Sequence, residues 1–516
     1  MNEWSFGRIF TALRDAVPAD RPALIHGEHV VDWGTFDRRT DALAASFLAA
    51  GATPGDKVAL LLRNGPAYLE ATVAAFKARL VHVNVNYRYG ATELHYILDN
   101  SDAAVLVVDP EFAGVVATLD LPKLRLKLLV GESYEAAAST DAPLPPQDYT
   151  GDDLVFIYTG GTTGVPKGVM WDQAALWQLL GGGGSTMHGE APTPTLDALL
   201  ANTRAGTGVL RTLVLPPLMH GSGFLVAVYT LARGGTVITL PSAGYQPVEA
   251  LEICRLHAPD YAVIVGDAFA RPLLKALDDG AGSIASLRTM ISSGTMWSPE
   301  VKAGLLRHNP QLALIDAFSS SESLGMGVAV QTEANAGAAT RFMSDANTIV
   351  LDEEMRPVVP GSGVPGRVAR AGLIPRGYYK DPVKSAATFI EYEGRRWSMP
   401  GDWATVEADG ALTLLGRGSQ CINSGGEKIF PEEVEETLKT HPGVDDALVF
   451  GVADAKWGQS VTAVVEGSAD DATELIAHVR RSLAAYKAPK HIVFVTKVPR
   501  APNGKADYAR AKEMAV

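Results

Sequence analysis

Short apolar segments alternate with helical stretches along most of the chain, and this pattern restricts the fold. The apolar segments are rich in β-branched residues and occupy residues 58–62, 104–109, 154–159, 212–216, 235–240 and 261–265. Stretches with helical periodicity lie between them, for example at residues 41–50 and 67–78. This alternation is typical of parallel strands buried on both faces. We therefore predict an α/β protein with a large N-terminal domain of several subdomains and buried, mostly parallel sheets.

The pattern changes after about residue 416. An amphipathic helix is predicted at residues 431–440, and the segments that follow indicate short strands near residues 447–452, 460–465 and 492–495 with a helix at 472–485. This is the pattern of a small α+β domain of roughly a hundred residues. The 516-residue chain is also longer than one hydrophobic core usually organises. We place the boundary within residues 416–420.

Composition excludes several classes of protein. The net charge of −13 argues against a nucleic-acid partner, because most of the surface repels polyanions. The two cysteines, Cys254 and Cys421, exclude a disulfide framework and a cysteine-rich metal site, and they indicate a reducing compartment, by default the cytoplasm. No segment has the apolar length that spans a bilayer. We predict no transmembrane segment, and peripheral membrane contact stays open.

The strongest local motif is the loop YTGGTTGVPKG at residues 158–168, which directly follows an apolar strand. Its glycines allow backbone N–H groups to close on phosphate oxygens, and its side chains add donors and a positive charge. It departs from the Walker A pattern, which requires Gly before the Lys and Ser or Thr after it. The side chains expected to contact a nucleotide are Thr159, Thr162, Thr163 and Lys167.

This loop resembles the signature of the adenylate-forming superfamily, which contains acyl-CoA synthetases, luciferases and peptide-synthetase adenylation domains. The resemblance extends over nearly the whole chain through LPPLMHG at 215–221, DAFSSSE at 316–322, PGDW at 400–403, GRGS at 416–419, NSGGEKIFPEE at 423–433 and PRAPNGK at 499–505. It implies an N-terminal domain at residues 1–418 that binds AMP and the acyl group. It also implies a mobile C-terminal lid at residues 419–516, with a hinge near Ser419.

The resemblance also implies roles for individual residues in binding. Phe318 would stack on adenine, Asp402 would accept the ribose hydroxyls, and Glu322 would bind Mg²⁺ together with Thr163. Mg²⁺ needs only one or two carboxylates when nucleotide phosphates complete its shell. The full set implied to contact ATP or coenzyme A is Thr159, Gly160, Gly161, Thr162, Thr163, Gly164, Lys167, Ser293, Gly294, Asp316, Phe318, Ser321, Asp402, Arg417, Ser424, Gly425, Gly426, Glu427 and Lys505.

Four residues are implied to act in catalysis. Lys505 would contact the carboxylate and the α-phosphate during adenylation, and His220 would lie between the nucleotide and the acyl pocket. Thr163 and Glu322 would act through the phosphates and the metal. The lid would then swing, so that Lys505 leaves and residues 424–427 approach for thioester formation.

The reaction implied is that of an ATP-dependent acyl-CoA synthetase, which uses ATP, Mg²⁺ and coenzyme A. Five stretches look like actinobacterial-type enzymes for fatty acids or steroid side-chain acids; they are residues 83–89, 159–171, 266–277, 377–389 and 421–435. We therefore predict a lipid-like monocarboxylate as substrate, and a homodimer is consistent with the resemblance. The alternatives are an aryl-acid CoA ligase, a luciferase-like relative, an adenylating enzyme that loads a carrier protein, and a nucleotide sensor without catalysis. Nothing like a carrier domain follows Val516, which favours free coenzyme A.

Overall fold

The computed structural model describes residues 4–159, 166–184, 191–424, 427–454, 458–502 and 504–515, without the side chains of Ser419, Asn423, Glu427 and Lys428. Within these ranges the chain forms four β-sheets with helices packed on and between them. None of the described helices is long and apolar enough to cross a membrane.

The helices begin where the sequence supplies a cap or a proline. Asp32 accepts the N–H of Thr35 at 2.6 Å at the start of α2, and α10, α12 and α14 begin with a proline. The helices are α1 Phe6–Leu13, α2 Trp33–Ala49, α3 Pro66–Lys77, α4 Ala91–Asn100, α5 Ala113–Val116, α6 Ser133–Ala138, α7 Gln173–Leu179, α8 Leu196–Ala205, α9 Gly221–Ala232, α10 Pro247–His257, α11 Gly266–Asp278, α12 Pro299–His308, α13 Pro382–Thr388, α14 Pro431–Lys439, α15 Ala472–Ser482 and α16 Tyr508–Met514.

The strands are short and mostly buried. They are β1 Pro22–His26, β2 His29–Asp32, β3 Lys57–Leu61, β4 Val81–Asn84, β5 Ala103–Val108, β6 Leu126–Leu129, β7 Leu154–Thr159, β8 Lys167–Asp172, β9 Arg211–Val214, β10 Thr236–Thr239, β11 Tyr261–Ile264, β12 Thr289–Ser293, β13 Ala313–Ser320, β14 Ser323–Gln331, β15 Thr348–Leu351, β16 Gly366–Ala371, β17 Gly377–Tyr378, β18 Phe389–Tyr392, β19 Arg395–Ser398, β20 Asp402–Val406, β21 Leu412–Arg417, β22 Ile422–Ser424, β23 Glu427–Ile429, β24 Val444–Asp454, β25 Gly458–Gly467 and β26 His491–Phe494.

Two large sheets carry the predicted parallel strands. The first has the order β14-β13-β12-β11-β9-β10-β1-β2, in which only the edge strands β14 and β2 run antiparallel to their neighbours. The second has the order β17-β8-β7-β4-β3-β5-β6, with β8 and β17 antiparallel at one edge. The largest hydrophobic cluster combines residues of α1, α2, α3 and α9 with strands of both sheets. These helices therefore form an apolar layer between the two sheets, and the predicted α/β class is confirmed.

A third sheet differs from the predicted pattern because its strands are antiparallel. Its order is β18-β19-β16-β20-β21, with β15 paired to β16. Strands β18, β20 and β21 are only half-buried, so their sequence lacks the continuous apolar runs that revealed the parallel strands. β20 and β21 lead into the last part of the chain.

The fourth sheet belongs to the C-terminal residues. Strands β22 to β25 pair antiparallel and β26 is parallel to β25, while α14 and α15 cover one face through a separate apolar cluster. The predicted elements agree with this order, with ends that differ by a few residues. Placing the boundary between residues 418 and 419 stays a prediction.

Candidate active site

A β-hairpin presents the predicted phosphate loop. Thr159 at the end of β7 is the cross-strand partner of Lys167 at the start of β8. Gly160, Gly161, Thr162, Thr163 and Gly164 lie outside the described residues. The Lys167 ammonium lies 5.6 Å from the centroid of the Tyr378 ring.

Glu322 lies between β13 and β14 and is buried, with 8% of its surface exposed. The hydroxyl of Tyr378 donates to Oε1 of Glu322 at 2.8 Å, and the hydroxyl of Ser398 donates to its carbonyl oxygen at 2.6 Å. The carbonyl of the preceding Ser321 accepts the indole N–H of Trp171 at 2.9 Å. The carboxylate therefore has a fixed position.

Tyr378 is a residue that sequence reasoning missed. β17 places it beside β8, where Tyr378 pairs with Val169, and its ring and hydroxyl contact Lys167 and Glu322. Burial and the charge of Glu322 raise the pKa of Tyr378, so its hydroxyl stays a neutral donor. The signal available was its position in the stretch at residues 377–389.

Asp402 and Arg417 face each other across β20 and β21. They are cross-strand partners, and Nε of Arg417 lies 3.3 Å from Oδ1 of Asp402. Burial raises the pKa of Asp402 although Arg417 opposes the shift, and the charge of Asp402 raises the pKa of Arg417. The second oxygen of Asp402, Oδ2, is buried and has no hydrogen-bond partner within the part of the chain that the structure describes. Such an oxygen can accept hydroxyl groups of a ligand.

Lys505 reaches this cleft from the C-terminal residues. It follows a tight turn in which the N–H of Gly504 donates to the carbonyl of Ala501 at 2.8 Å. A Cβ atom added to Gly504 would lie 2.6 Å from Cβ of Ala268, and one added to Gly294 would lie 3.9 Å from Cε of Lys505. The turn is thus seated against the start of α11, and the lysine extends past the end of β12.

Charged side chains of both signs border the cleft. Two cations, Lys505 and Arg417, face two carboxylates, Glu322 and Asp402. Although part of its side chain is open to solvent, the walls of the cleft desolvate the Lys505 ammonium and lower its pKa, and Arg417 lowers it further. Bound phosphates would add negative charge beside both cations.

His220 precedes α9 as its N-cap residue. Burial, together with the positive charge of Lys505, lowers its pKa to about 3. The imidazole is therefore neutral near pH 7, and it can accept or donate a hydrogen bond without adding charge beside the cleft.

Two other predicted residues lie in the sheet interior. The carboxylate of Asp316 on β13 binds the ammonium of Lys302 at 3.0 Å, and burial raises its pKa to about 6. Phe318 is 5% exposed, and the centroid of its ring lies 5.6 Å from that of Phe342. Ser293 ends β12, ahead of Gly294. The Asp316 carboxylate is therefore already bound within the protein, as is Oδ1 of Asp402, whereas Oδ2 of Asp402 has no partner among the described residues.

The predicted coenzyme A loop is described only in part. Ser424 is buried, and its backbone pairs with Glu427 and Gly458. Gly425, Gly426 and the side chain of Glu427 lie outside the described residues. Ser419 lies in a short 3₁₀ turn, Gly418–Gln420, between β21 and β22.

The donor set fits a magnesium ion that is shared with a nucleotide. The described residues contain no group of three or more His, Cys, Asp or Glu side chains able to hold a metal. Of the two carboxylates that border the cleft, Asp402 pairs with Arg417 and Glu322 accepts the hydroxyl of Tyr378. A single carboxylate such as Glu322 is enough for Mg²⁺ when phosphates supply its remaining ligands. Glu322 is accordingly the residue that would hold the ion.

Comparison with known proteins agrees with this geometry. The family model of the AMP-binding enzymes matches residues 12–379, and the model of the AMP-binding enzyme C-terminal domain matches residues 433–505. A 3-oxocholest-4-en-26-oate–CoA ligase of Rhodococcus rhodochrous is 40% identical over 97% of this chain and 94% of its own length. A medium/long-chain-fatty-acid–CoA/3-oxocholest-4-en-26-oate–CoA ligase of Mycobacterium marinum is 39% identical over the same shares.

The fold is also that of a solved ligase. The anthranilate CoA ligase AuaEII in complex with anthranoyl-AMP superposes with a TM-score of 0.84 at 20% identity, over 99% of this chain and 97% of that one. The predicted resemblance, the acid–thiol ligase class and the use of ATP, Mg²⁺ and coenzyme A are confirmed by the family and relatives. Because both family models match and a relative that is 40% identical covers 97% of the chain, the chain belongs to the AMP-binding enzyme family.

Proposed function

We propose that this protein is an AMP-forming acyl-CoA ligase that activates an apolar, lipid-like monocarboxylic acid. The observation that carries the proposal is a single cleft in which Lys505, Glu322 and the Asp402–Arg417 pair meet. This cleft borders His220, from which the uncharged helix α9 leads into the apolar layer between the sheets. Charged side chains suited to a nucleotide therefore lie beside an uncharged helix suited to an acyl chain.

In the first step a carboxylate oxygen of the acid attacks the α-phosphorus of ATP, and the bond to pyrophosphate breaks. Both reactants are anions, so the protein has to position them and stabilise the added charge. We assign the carboxylate and α-phosphate to Lys505, the phosphates to Lys167, and the ribose hydroxyls to Oδ2 of Asp402. Mg²⁺ bound at Glu322 would supply positive charge to phosphate oxygens.

In the second step the thiol of coenzyme A attacks the acyl carbonyl carbon, the bond to the AMP oxygen breaks, and the thiol proton passes to solvent. We propose that the lid at residues 419–516 turns about Ser419 between the steps, as the resemblance implies. Lys505 would then leave the cleft. Residues 424–427 would approach it.

The acyl substrate follows from the character of α9 and from the relatives. α9 carries no charged side chain, and its Phe224 stacks on the buried His82 with ring centroids 4.2 Å apart. A second carboxylate would find no cation along this helix. The two named relatives act on fatty acids or a steroid side-chain acid, which are long apolar monocarboxylates.

A surface cavity supports coenzyme A as the acceptor. It has a volume of about 360 Å³, and its lining includes Arg63, Arg88, Tyr87 and, from the C-terminal residues, Pro502. The Arg63 guanidinium binds both carboxylate oxygens of Glu111 and lies over the Tyr87 ring. Arg88 is therefore the cation of this lining that we assign to the phosphates of a free nucleotide acceptor, with the aromatic ring beside it for adenine. The cavity lies next to the turn that carries Lys505.

Location and assembly extend the proposal. Neither Cys254 nor Cys421 forms a disulfide within the described residues, as expected in a reducing compartment, and we propose a cytoplasmic enzyme. The homodimer rests on the family resemblance alone. Light scattering of the purified protein measures its mass in solution. The mass of a monomer would contradict the proposed homodimer.

The test is a panel of acids assayed for AMP release with and without coenzyme A. We expect the highest turnover with medium- or long-chain fatty acids or steroid side-chain acids, with formation of the thioester. A dicarboxylate such as malonate, or an aryl acid, turning over faster than every lipid acid would overturn the substrate assignment. Release of AMP only with an acyl carrier protein would overturn the acceptor.

A further inference from the structure

A buried ionic contact joins the two domains away from the reacting groups. Lys439 at the end of α14 is 6% exposed, and its ammonium lies 3.6 Å from Oδ2 of Asp267 on α11. The same ammonium pairs with Glu436 one turn earlier on its own helix. Burial opposes the charge of Lys439, but Glu436 and Asp267 together raise its pKa, so it stays protonated.

Ser298 completes the contact from the large domain. Its hydroxyl lies 2.9 Å from Oε2 of Glu436 and 2.5 Å from Oδ2 of Asp267, and its N–H donates to Oδ1 of Asp267 at 2.9 Å. Arg271 also binds Asp267, at 3.0 Å. Asp267 is thus fixed within its own domain, whereas Lys439 and Glu436 arrive with the small domain.

The contact lies at the same end of α11 as the turn that carries Lys505. Asp267 is followed by Ala268, the residue against which Gly504 is seated. One end of α11 therefore receives the small domain at two points, through the Lys439 contact and through the Lys505 turn. Swinging the lid would break both together.

We propose that Lys439 is a positioning residue whose contact with Asp267 and Glu436 latches the small domain in the orientation that places Lys505 in the cleft. The inference rests on the proposed two-step reaction. Breaking a buried contact between two states shifts their equilibrium by the free energy it contributes to one of them. Loss of Lys439 should therefore weaken adenylation and leave thioester formation intact.

The kinetic test compares the half-reactions in Lys439→Met and Asp267→Asn. Acid-dependent exchange of pyrophosphate into ATP should fall about ten- to a hundredfold, the usual range of a coupling between sites. Conversion of pre-made acyl-adenylate to acyl-CoA should proceed at the wild-type rate. The matched control is Lys487→Met, which removes the ion pair of Lys487 with Glu433 of α14, 2.7 Å apart within the small domain. It should leave exchange unchanged.

A second readout does not depend on catalysis. Spin labels at Arg255→Cys and Lys497→Cys, two exposed positions in different domains, report the interdomain distance by pulsed electron paramagnetic resonance in a Cys421→Ser background. The remaining cysteine, Cys254, is buried. Lys439→Met and Asp267→Asn should each add a second distance that wild type and Lys487→Met lack.

The possible outcomes distinguish failure of the proposed latch from failure of the proposed function. Equal losses in both half-reactions with an unchanged distance distribution would overturn the latch while the ligase stands. A shifted distribution in a protein that makes no acyl-CoA would support the latch and overturn the proposed function. A thermal melt accompanies each variant. If Lys439→Met fails to fold, Asp267→Asn tests the same contact from the other domain.

Discussion

The two faces of the cleft are built in different ways. On the face formed by residues before Ser419, Tyr378 holds Glu322 and Arg417 holds Asp402, in bonds that involve no residue of the proposed lid. The small-domain face contributes Lys505 on a turn whose position depends on docking against α11. Under the proposed lid rotation, the first face is permanent and the second face is conditional.

The difference predicts two classes of variant. Changes on the permanent face should affect every step in which the nucleotide is bound. Changes on the conditional face should affect only the step that uses this orientation. A variant on one face that shows the kinetic pattern expected for the other face would contradict this division of the site.

The largest effect is expected for Lys505→Ala. Removing one preorganised donor from developing charge commonly costs on the order of a hundred- to a thousandfold in rate. Pyrophosphate exchange should fall by this factor, and acyl-CoA formation from pre-made acyl-adenylate should stay near normal. Equal losses in both assays would place Lys505 on the permanent face.

Glu322→Gln should lower adenylation by about a hundredfold at a fixed Mg²⁺ concentration, because a metal ion contributes several kcal/mol of charge stabilisation. The amide keeps the shape and can still accept from Tyr378, so the melting temperature should change little. Raising Mg²⁺ should restore part of the rate. A Mg²⁺ titration identical to that of wild type would remove Glu322 from the metal site.

Ser419→Pro tests whether the proposed lid rotates at the predicted hinge. Proline fixes φ near −65° and removes an N–H, so it should hinder a rotation that hinge residues absorb. We expect exchange to persist while acyl-CoA output falls by about tenfold or more. A melt controls for misfolding. A well-folded variant with normal output would show that the hinge lies elsewhere.

The smallest effect concerns pH. Glu432 of α14 packs on β21 so closely that a Cβ atom at Gly416 would lie 2.1 Å from its Oε2. Burial and the neighbouring Glu435 raise the pKa of Glu432, so this orientation binds a proton more tightly than one in which Glu432 meets solvent. Low pH therefore favours the orientation in which Glu432 is buried. This preference becomes weaker as the pH rises above the usual pKa of a glutamate.

The ratio of exchange to thioester formation should accordingly fall with rising pH, by less than about tenfold per unit, the limit for a single proton. Glu432→Gln, which keeps the size and loses the titration, should flatten the profile. A profile unchanged in this variant would assign the pH dependence to another group.

Sequence reasoning recovered the elements that have a strong local signal. The buried parallel strands, α14 and the family motifs each leave a continuous pattern of residues. Strands β18, β20 and β21 of the antiparallel third sheet leave none, because half-buried strands lack apolar runs. Tyr378 and Lys439 were missed because their importance lies in partners distant along the chain, Glu322 and Asp267. The unpaired oxygen of Asp402 likewise becomes visible only in three dimensions.

The first strand pair of the large sheet has a consequence for synthesis on the ribosome. β1 pairs with β10, and His26 contacts Thr239 across 213 residues of sequence. Contacts this distant in sequence slow folding, because a long loop must close before they form. Until then β1 and β2 can form only a hairpin with an unpaired edge, the kind of edge that recruits other chains. We expect the yield of native enzyme to depend on how well the nascent β1–β2 hairpin is shielded, and slower expression at lower temperature to increase that yield.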